Sequence, residues 1–440
     1  MNSFEKRPGA PSIRPKSKSS IIPRREKSSI LLGQKAVEES APEPEITTAP
    51  EIDSWIGTIF GLWLSSVFLF SLIGRATIGH GIGTSFIIGG AVCWSAIYFL
   101  LSNKYKFVPR GLPNDATFAL IGFLFFTALS IGVSSAWITS ATFFVMTLLA
   151  VFVSMQFSGN LGPADFERGL KVYAFITVIV LALFAIDGYR PGVRLGNETG
   201  VWNPNALALV AMSVVVSAMA FRNSALRYSV AFIAAVVIYL TGARTAAGTT
   251  IIALSLIFFF RTRQAEGQQK MMIAFSVVAL LVIGAIFIEG IIKGAEEFFA
   301  VNDPLRGVGS GATGRVEAWG QAFNLFLSNP ITGVGYRAHA QHLTGLSSAH
   351  NGYLALLAEV GIIAFSCVIY LIYTGIMGLK RLLEHPEYKW TAVLLFGYSV
   401  GFTFEAFFER YLINFGNPAS LLLLVVALRI FREAEANRSG

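Results

Sequence analysis

Eight arginines stand in the segments that join apolar runs on one side of the alternation: Arg75, Arg190, Arg194, Arg244, Arg306, Arg315, Arg337 and Arg410. Lys293, at the edge of a run, is the one lysine with them, whereas the alternate segments mix both bases. A guanidinium is a permanently charged planar fork that grips phosphate at two points, while an ammonium is a point charge. Selection of arginine on one face points to a phosphate-bearing ligand. The plainer reading is headgroup anchoring, with ion pairs to Glu198, Glu296, Glu297, Asp303 and Glu317. Arg244 is the sharpest of the set, because it occupies a minimal turn, Gly242-Ala243-Arg244, where a charge is expensive. Its plain alternative is snorkelling at a helix end.

Four of five histidines, His80, His339, His342 and His350, fall on the arginine side; His385 does not. His350 opens an apolar run in Ser348-Ala-His350-Asn351-Gly-Tyr353, where a neutral imidazole could take a proton from a hydroxyl. Its plain reading is a polar residue at a helix start. His339, His342 and His350 could be read as metal ligands, but no cysteine or carboxylate partner has fitting spacing, so no metal is expected. Glu359 and Glu405 lie in or near apolar runs, and each is a functional candidate by default. Packing against Ser, Thr or Tyr of a neighbouring helix is the alternative. Glu359 follows His350 by nine residues, half a turn out of phase on an ideal helix, so it should not orient His350 unless that helix is broken.

The elements that must position these groups are transmembrane helices. The chain has 440 residues, 54% hydrophobic and 14% charged, with a mean hydropathy of +0.61. Soluble domains carry about 25% charge, so lipid is the solvent for most of this chain. Apolar runs fall at approximately 55–74, 82–101, 116–134, 137–157, 170–188, 205–221, 228–242, 245–260, 271–292, 351–378, 390–408 and 418–431. Most match the roughly 20 residues that a spanning helix needs. Twelve crossings with both termini inside place Lys104, Lys106, Arg110, Arg168, Lys171, Arg222, Arg227, Arg261, Arg263, Lys270, Lys380, Arg381, Lys389 and Arg432 on the cytoplasmic side. The net charge of +8 is scattered through these short loops, which argues topology rather than nucleic acid.

The expected organisation is a cytoplasmic tail (1–54), an N-terminal transmembrane bundle (55–292), a periplasmic loop (293–350), C-terminal helices (351–431) and a short cytoplasmic end (432–440). The tail carries nine Lys/Arg through Lys35, then six acids and no base from Ala36 to Ser54, and reads as disordered. In the long loop, Gly-Val-Gly-Ser-Gly-Ala-Thr-Gly (307–314) is flexible, and Arg315 to Leu327 reads as a short amphipathic helix ended by Asn329-Pro330. Cys93 and Cys367 lie inside apolar runs and read as small core residues.

Thr313-Gly-Arg315-Val-Glu-Ala-Trp319, Asn329-Pro330-Ile-Thr-Gly333-Val-Gly335, Ala349-His350-Asn351-Gly-Tyr353 and Glu359-Val-Gly361 together resemble the bacterial O-antigen ligase/polymerase superfamily. Gly242-Ala-Arg244 and Asn203-Pro204-Asn205-Ala-Leu-Ala agree upstream, although the turn reads Gly-Ala-Arg where a Ser-Arg pair is frequent. The resemblance implies an all-α C-type glycosyltransferase fold at the bacterial inner membrane. It implies glycan transfer from an undecaprenyl-diphosphate carrier, with inversion and without metal, cofactor or nucleotide sugar. Arg244 and Arg315 would then hold the diphosphate and His350 would activate the acceptor hydroxyl. Arg194, Asn205, Arg337, Asn351 and Glu359 are the candidate substrate-binding residues. The acceptor would be a second carrier-linked glycan in a polymerase, or lipid A-core in a ligase. The compact exterior loop and long basic tail favour the polymerase, with a chain-length regulator and export proteins as partners. A lipid or polysaccharide transporter is the reading from another class; it would place its binding groups near the bilayer midplane, on broken helices of paired repeats.

Overall fold

The computed structural model describes residues 55–78, 93, 96, 97, 114–196, 203–264, 267, 313–344, 348–384, 386 and 388–436. The chain divides into Met1–Ile52 and Asp53–Gly440, and the first unit lies outside the described residues. So do most of the runs 82–101 and 271–292, the glycine-rich stretch before Thr313, and the side chains of Arg75, His80, Lys293, Glu198, Glu296, Glu297, Asp303, Arg306 and His385.

Among the described residues the secondary structure is helical, without strands. The other ten apolar runs all fold as helices: α1 (Ile56–Ile78), α2 (Asn114–Gly132), α3 (Trp137–Asn160), α4 (Pro163–Gly188), α5 (Pro204–Ala218), α6 (Ser224–Thr241), α7 (Arg244–Gln264), α9 (Gly352–Leu382), α10 (Lys389–Glu405) and α11 (Pro418–Ala436). The eleventh helix, α8 (Thr313–Ser328), is the short one expected in the long loop. Among the described residues, six helices are long and apolar enough to cross a membrane, namely α2, α3, α4, α6, α7 and α9. Their outward positions carry Phe118, Phe125, Leu183, Ile186, Phe232, Ile251 and Phe258, all exposed. Water would penalise such a belt and lipid does not; the protein is a polytopic membrane protein.

The centre of the bundle is α5, in which every residue but Asn205 is buried. A helix apolar on all sides must be enclosed on all sides. It packs against α4, α6 and α7, while α1 lies along α4, α2 along α9 and α7 along α10. The α7–α10 approach depends on Gly397 and Gly401, one turn apart. A Cβ at Gly397 would come within 2.8 Å of the Ala253 carbonyl, and one at Gly401 within 3.3 Å of the Thr249 carbonyl. Small residues at this spacing let helix backbones close on each other in lipid.

Antiparallel packing gathers the end of α6 and the starts of α5, α7 and α9 with the end of α10. Leu195 N–H bonds the Leu240 carbonyl at 2.9 Å, and Gly352 N–H bonds the Ala406 carbonyl at 2.7 Å. The opposite ends of the same helices carry Arg222, Arg227, Arg261, Arg263, Lys380, Arg381 and Lys389. Among the described residues, Arg194, Arg244 and Arg315 therefore sit at the end of the bundle opposite to these mixed bases.

Candidate active site

The site begins with a break in a helix. Gly361 interrupts α9 at φ 74°, ψ 179°, a conformation essentially confined to glycine. The carbonyls of Ala358 and Glu359 thereby lose their donors one turn on. The chain after α8 supplies replacements: Val334 N–H bonds the Ala358 carbonyl (2.9 Å) and Gly335 N–H the Glu359 carbonyl (3.1 Å). In return Ile362 N–H bonds the Pro330 carbonyl at 2.8 Å. Unpaired backbone groups inside a membrane bundle are costly, so each segment completes the other. The motifs around Asn329-Pro330-Ile-Thr-Gly333 and Glu359-Val-Gly361, some thirty residues apart, are thus two halves of one joint. At Gly361 a Cβ would strike the Ile331 carbonyl.

At the start of α9, Asn351 caps the helix. Its Oδ1 accepts from Tyr353 N–H and Leu354 N–H, both at 3.0 Å. Its side-chain oxygen is therefore engaged in the fold. The preceding His350 takes φ +47°, which a non-glycine residue adopts rarely. Its N–H donates to Ser348 Oγ at 3.3 Å. The imidazole Nδ1 lies 3.7 Å from Oε2 of Glu409, and the side chain keeps 35% of its surface.

Glu409 is the hub. It is 2% exposed and sits in the turn that follows α10. Its Oε1 accepts from Asn205 Nδ2 at 2.6 Å and lies 3.5 Å from Arg315 Nη2. Asn205 in turn accepts through Oδ1 from Arg194 Nη2 at 2.7 Å. Arg194 is further fixed by donating Nε–H to the Thr241 carbonyl at 2.7 Å. A buried carboxylate needs such partners. Residues from α5, α8 and the start of α9 converge on this one carboxylate, and the α4–α5 connection supports it through Asn205.

Arg244 opens α7 two residues after Gly242, which turns the chain in the left-handed region (φ +60°) and lies against the Arg194 side chain. The first two turns of α7 are tied to Glu405, whose Oε1 accepts from Thr245 Oγ1 (2.9 Å) and Oε2 from Thr249 Oγ1 (2.6 Å). This satisfies Glu405 through threonines of a neighbouring helix, the plainer of its two sequence readings. Arg194, Arg244 and Arg315 bring three positive charges, while Glu405 and Glu409 bring at most two negative ones. The balance favours an anion, and the amino-terminal end of α7 adds to it.

Two predicted binding residues belong to a second group, beneath the docked loop. The Arg337 guanidinium donates to the Ile413 carbonyl and lies over Phe143 at 5.8 Å. Glu359, 3% exposed, is bonded to His339 Nδ1 at 2.5 Å. The helix is indeed broken next to Glu359, yet its carboxylate serves His339 and not His350. His342 is directed elsewhere, with Nε2 3.4 Å from Ser135 Oγ. Among the described residues no three His, Cys, Asp or Glu side chains form a group that could hold a metal ion. Cys93 is buried and Cys367 half-buried, both as free thiols.

Sequence reasoning thus reached Arg194, Asn205, Arg315 and His350, which the structure brings together. It missed Glu409. The available signal was the pair Glu405 and Glu409, four residues apart at the end of an apolar run, which shares one helical face.

No curated protein matches the chain. The family model described as O-antigen ligase matches residues 229–369, which reach from α6 through α7, α8 and the docked loop into α9. The match contains Arg244, Arg315, Arg337, His339, His350, Asn351 and Glu359, while Arg194, Asn205, Glu405 and Glu409 join them through tertiary contacts. It supports an enzyme of the ligase/polymerase type. Residues 229–369 are thus similar to the O-antigen ligase family, which supports the resemblance to the O-antigen ligase/polymerase superfamily that the motifs carry.

Proposed function

We propose that the protein is a glycosyltransferase of the bacterial inner membrane, acting at its periplasmic face with both termini in the cytoplasm. It moves a glycan from an undecaprenyl-diphosphate carrier to an acceptor sugar hydroxyl in polysaccharide biosynthesis. The observation that carries this reading is the convergence of Asn205, itself held by Arg194, with Arg315 and His350 on the buried Glu409.

Arg244, at the start of α7, and Arg315 hold the diphosphate. His350 takes the proton of the acceptor hydroxyl as its oxygen bonds the anomeric carbon. The bond from that carbon to the phosphate oxygen breaks with both electrons on the departing diphosphate, and configuration at carbon inverts. Fixed guanidinium groups meet the charge where it develops, which is the electrostatic part of catalysis. Glu409 faces the imidazolium formed by proton transfer. Asn205, held in place by Arg194, bonds Glu409 from the other side. Arg337, Asn351 and Glu359 maintain the shape of the site through the contacts described above. These groups lie at helix ends, where a lipid carrier presents its head, rather than at mid-bilayer as a transporter would place them.

The test is reconstitution in liposomes with a carrier-linked oligosaccharide. Product forms, persists in EDTA, and is lost in His350→Ala while the variant stays folded. Full activity of that variant removes the assigned base. A second carrier-linked unit as acceptor identifies a repeat-unit polymerase, and lipid A-core identifies a ligase.

A further inference from the structure

His339 and Glu359 are two ionisable side chains, 2% and 3% exposed, that the transfer chemistry does not use. Their 2.5 Å bond involves Nδ1, and the other nitrogen of the ring, Nε2, is approached by the N–H of Ala349 at 3.4 Å. A backbone N–H can only donate, so Nε2 accepts and the ring proton resides on Nδ1, directed at the Glu359 carboxylate. Glu359 therefore selects the tautomer in which His339 can hold Ala349. The residue after Ala349 is His350.

We infer that the buried His339–Glu359 pair is a positioning device that fixes His350 for proton transfer, an inference that rests on the transferase reading above. His350 holds a left-handed φ of +47° against its own preference. Relaxation to an ordinary φ near −65° would be a rotation of about 110°, which would swing the imidazole off its line to Glu409. Two bonds oppose it: Ala349 N–H to His339, and His350 N–H to Ser348 Oγ. The pair is not needed merely to fasten the loop to α9. That attachment is already made by Val334, Gly335 and Ile362 through main-chain bonds.

The experiment compares wild type, His339→Phe and His339→Gln in liposomes with the carrier-linked donor. Phenylalanine fills the ring volume but has no acceptor. Glutamine offers an amide whose oxygen and nitrogen reproduce the acceptor and donor. Misplacing a base by about 1 Å costs on the order of 100-fold in rate, so kcat falls by about that factor in His339→Phe, with donor KM within about twofold. His339→Gln recovers at least about a tenth of wild-type kcat. Amide hydrogen exchange over residues 348–351 accelerates in His339→Phe and stays slow over 363–370 of α9.

Wild-type kcat in His339→Phe, a loss carried by KM alone, or unchanged exchange at 348–351 overturns the inference. If His339→Phe does not fold, Glu359→Gln serves: it replaces the carboxylate that accepts the Nδ1 proton of His339 with an amide whose nitrogen can only donate. A fall of about tenfold in kcat is then expected, and wild-type kcat overturns the pair. If wild type transfers nothing, the reaction reading falls by itself, and the exchange measurement decides the positioning role.

Discussion

Replacing Glu409 by glutamine removes one charge from the centre of the site and almost no volume. The carboxylate Oε2 lies 3.7 Å from His350 Nδ1. A full charge pair at that distance is worth about 4 kcal/mol at an effective dielectric near 20. His350 keeps about a third of its surface, so screening reduces this to roughly 2 kcal/mol. That stabilisation is present only once His350 has taken the proton, so its loss raises the barrier and not the ground state. A barrier increase of about 2 kcal/mol is roughly a 30-fold fall in kcat. Arg315 loses its counter-charge at the same time and remains free to meet the diphosphate, so donor KM should not rise. The assay is single-turnover transfer in proteoliposomes, with thermal melting in detergent to confirm folding. A Glu409→Gln enzyme within about threefold of wild-type kcat, or one impaired through KM alone, refutes the electrostatic reasoning.

Other outcomes follow from the same contacts. Lysine at Arg244 or Arg315 keeps the charge but loses the two-point grip, so kcat/KM should fall at least about tenfold; wild-type kinetics in both variants removes the diphosphate assignment. Gly361→Ala places a Cβ against the Ile331 carbonyl in a conformation that only glycine tolerates, and should cost at least about 2 kcal/mol, read as a lowered melting temperature. Arg337→Ala removes the tether to the Ile413 carbonyl and the contact with Phe143, and should lower stability by about 1–2 kcal/mol in the same melting assay. In a background without Cys93 and Cys367, a cysteine at exposed position 344 should react with an impermeant maleimide in intact cells, and one at position 222 only after permeabilisation. The reverse pattern inverts the topology.

Much of the architecture is legible in the chain itself. Apolar runs of spanning length specify helices, because in lipid a backbone must satisfy its own hydrogen bonds. Gly242 before Arg244 and Asn329-Pro330 after α8 mark helix boundaries by local geometry alone. Arg315 and His350 are conspicuous because a charge or an imidazole beside apolar sequence is expensive enough to need a reason.

The partners of those residues are another matter. Glu359 is nine positions from His350, yet it belongs to His339, because α9 is broken at Gly361 and the loop after α8 completes it. Glu409 is 204 positions from Asn205 and 94 from Arg315, and nothing local connects them. Sequence determines which segments enter the membrane and which polar groups stand at their ends, since burial cost is paid residue by residue. Which of those groups meet is decided by how the helices pack, since a hydrogen bond depends on distance in space and carries no trace of separation along the chain.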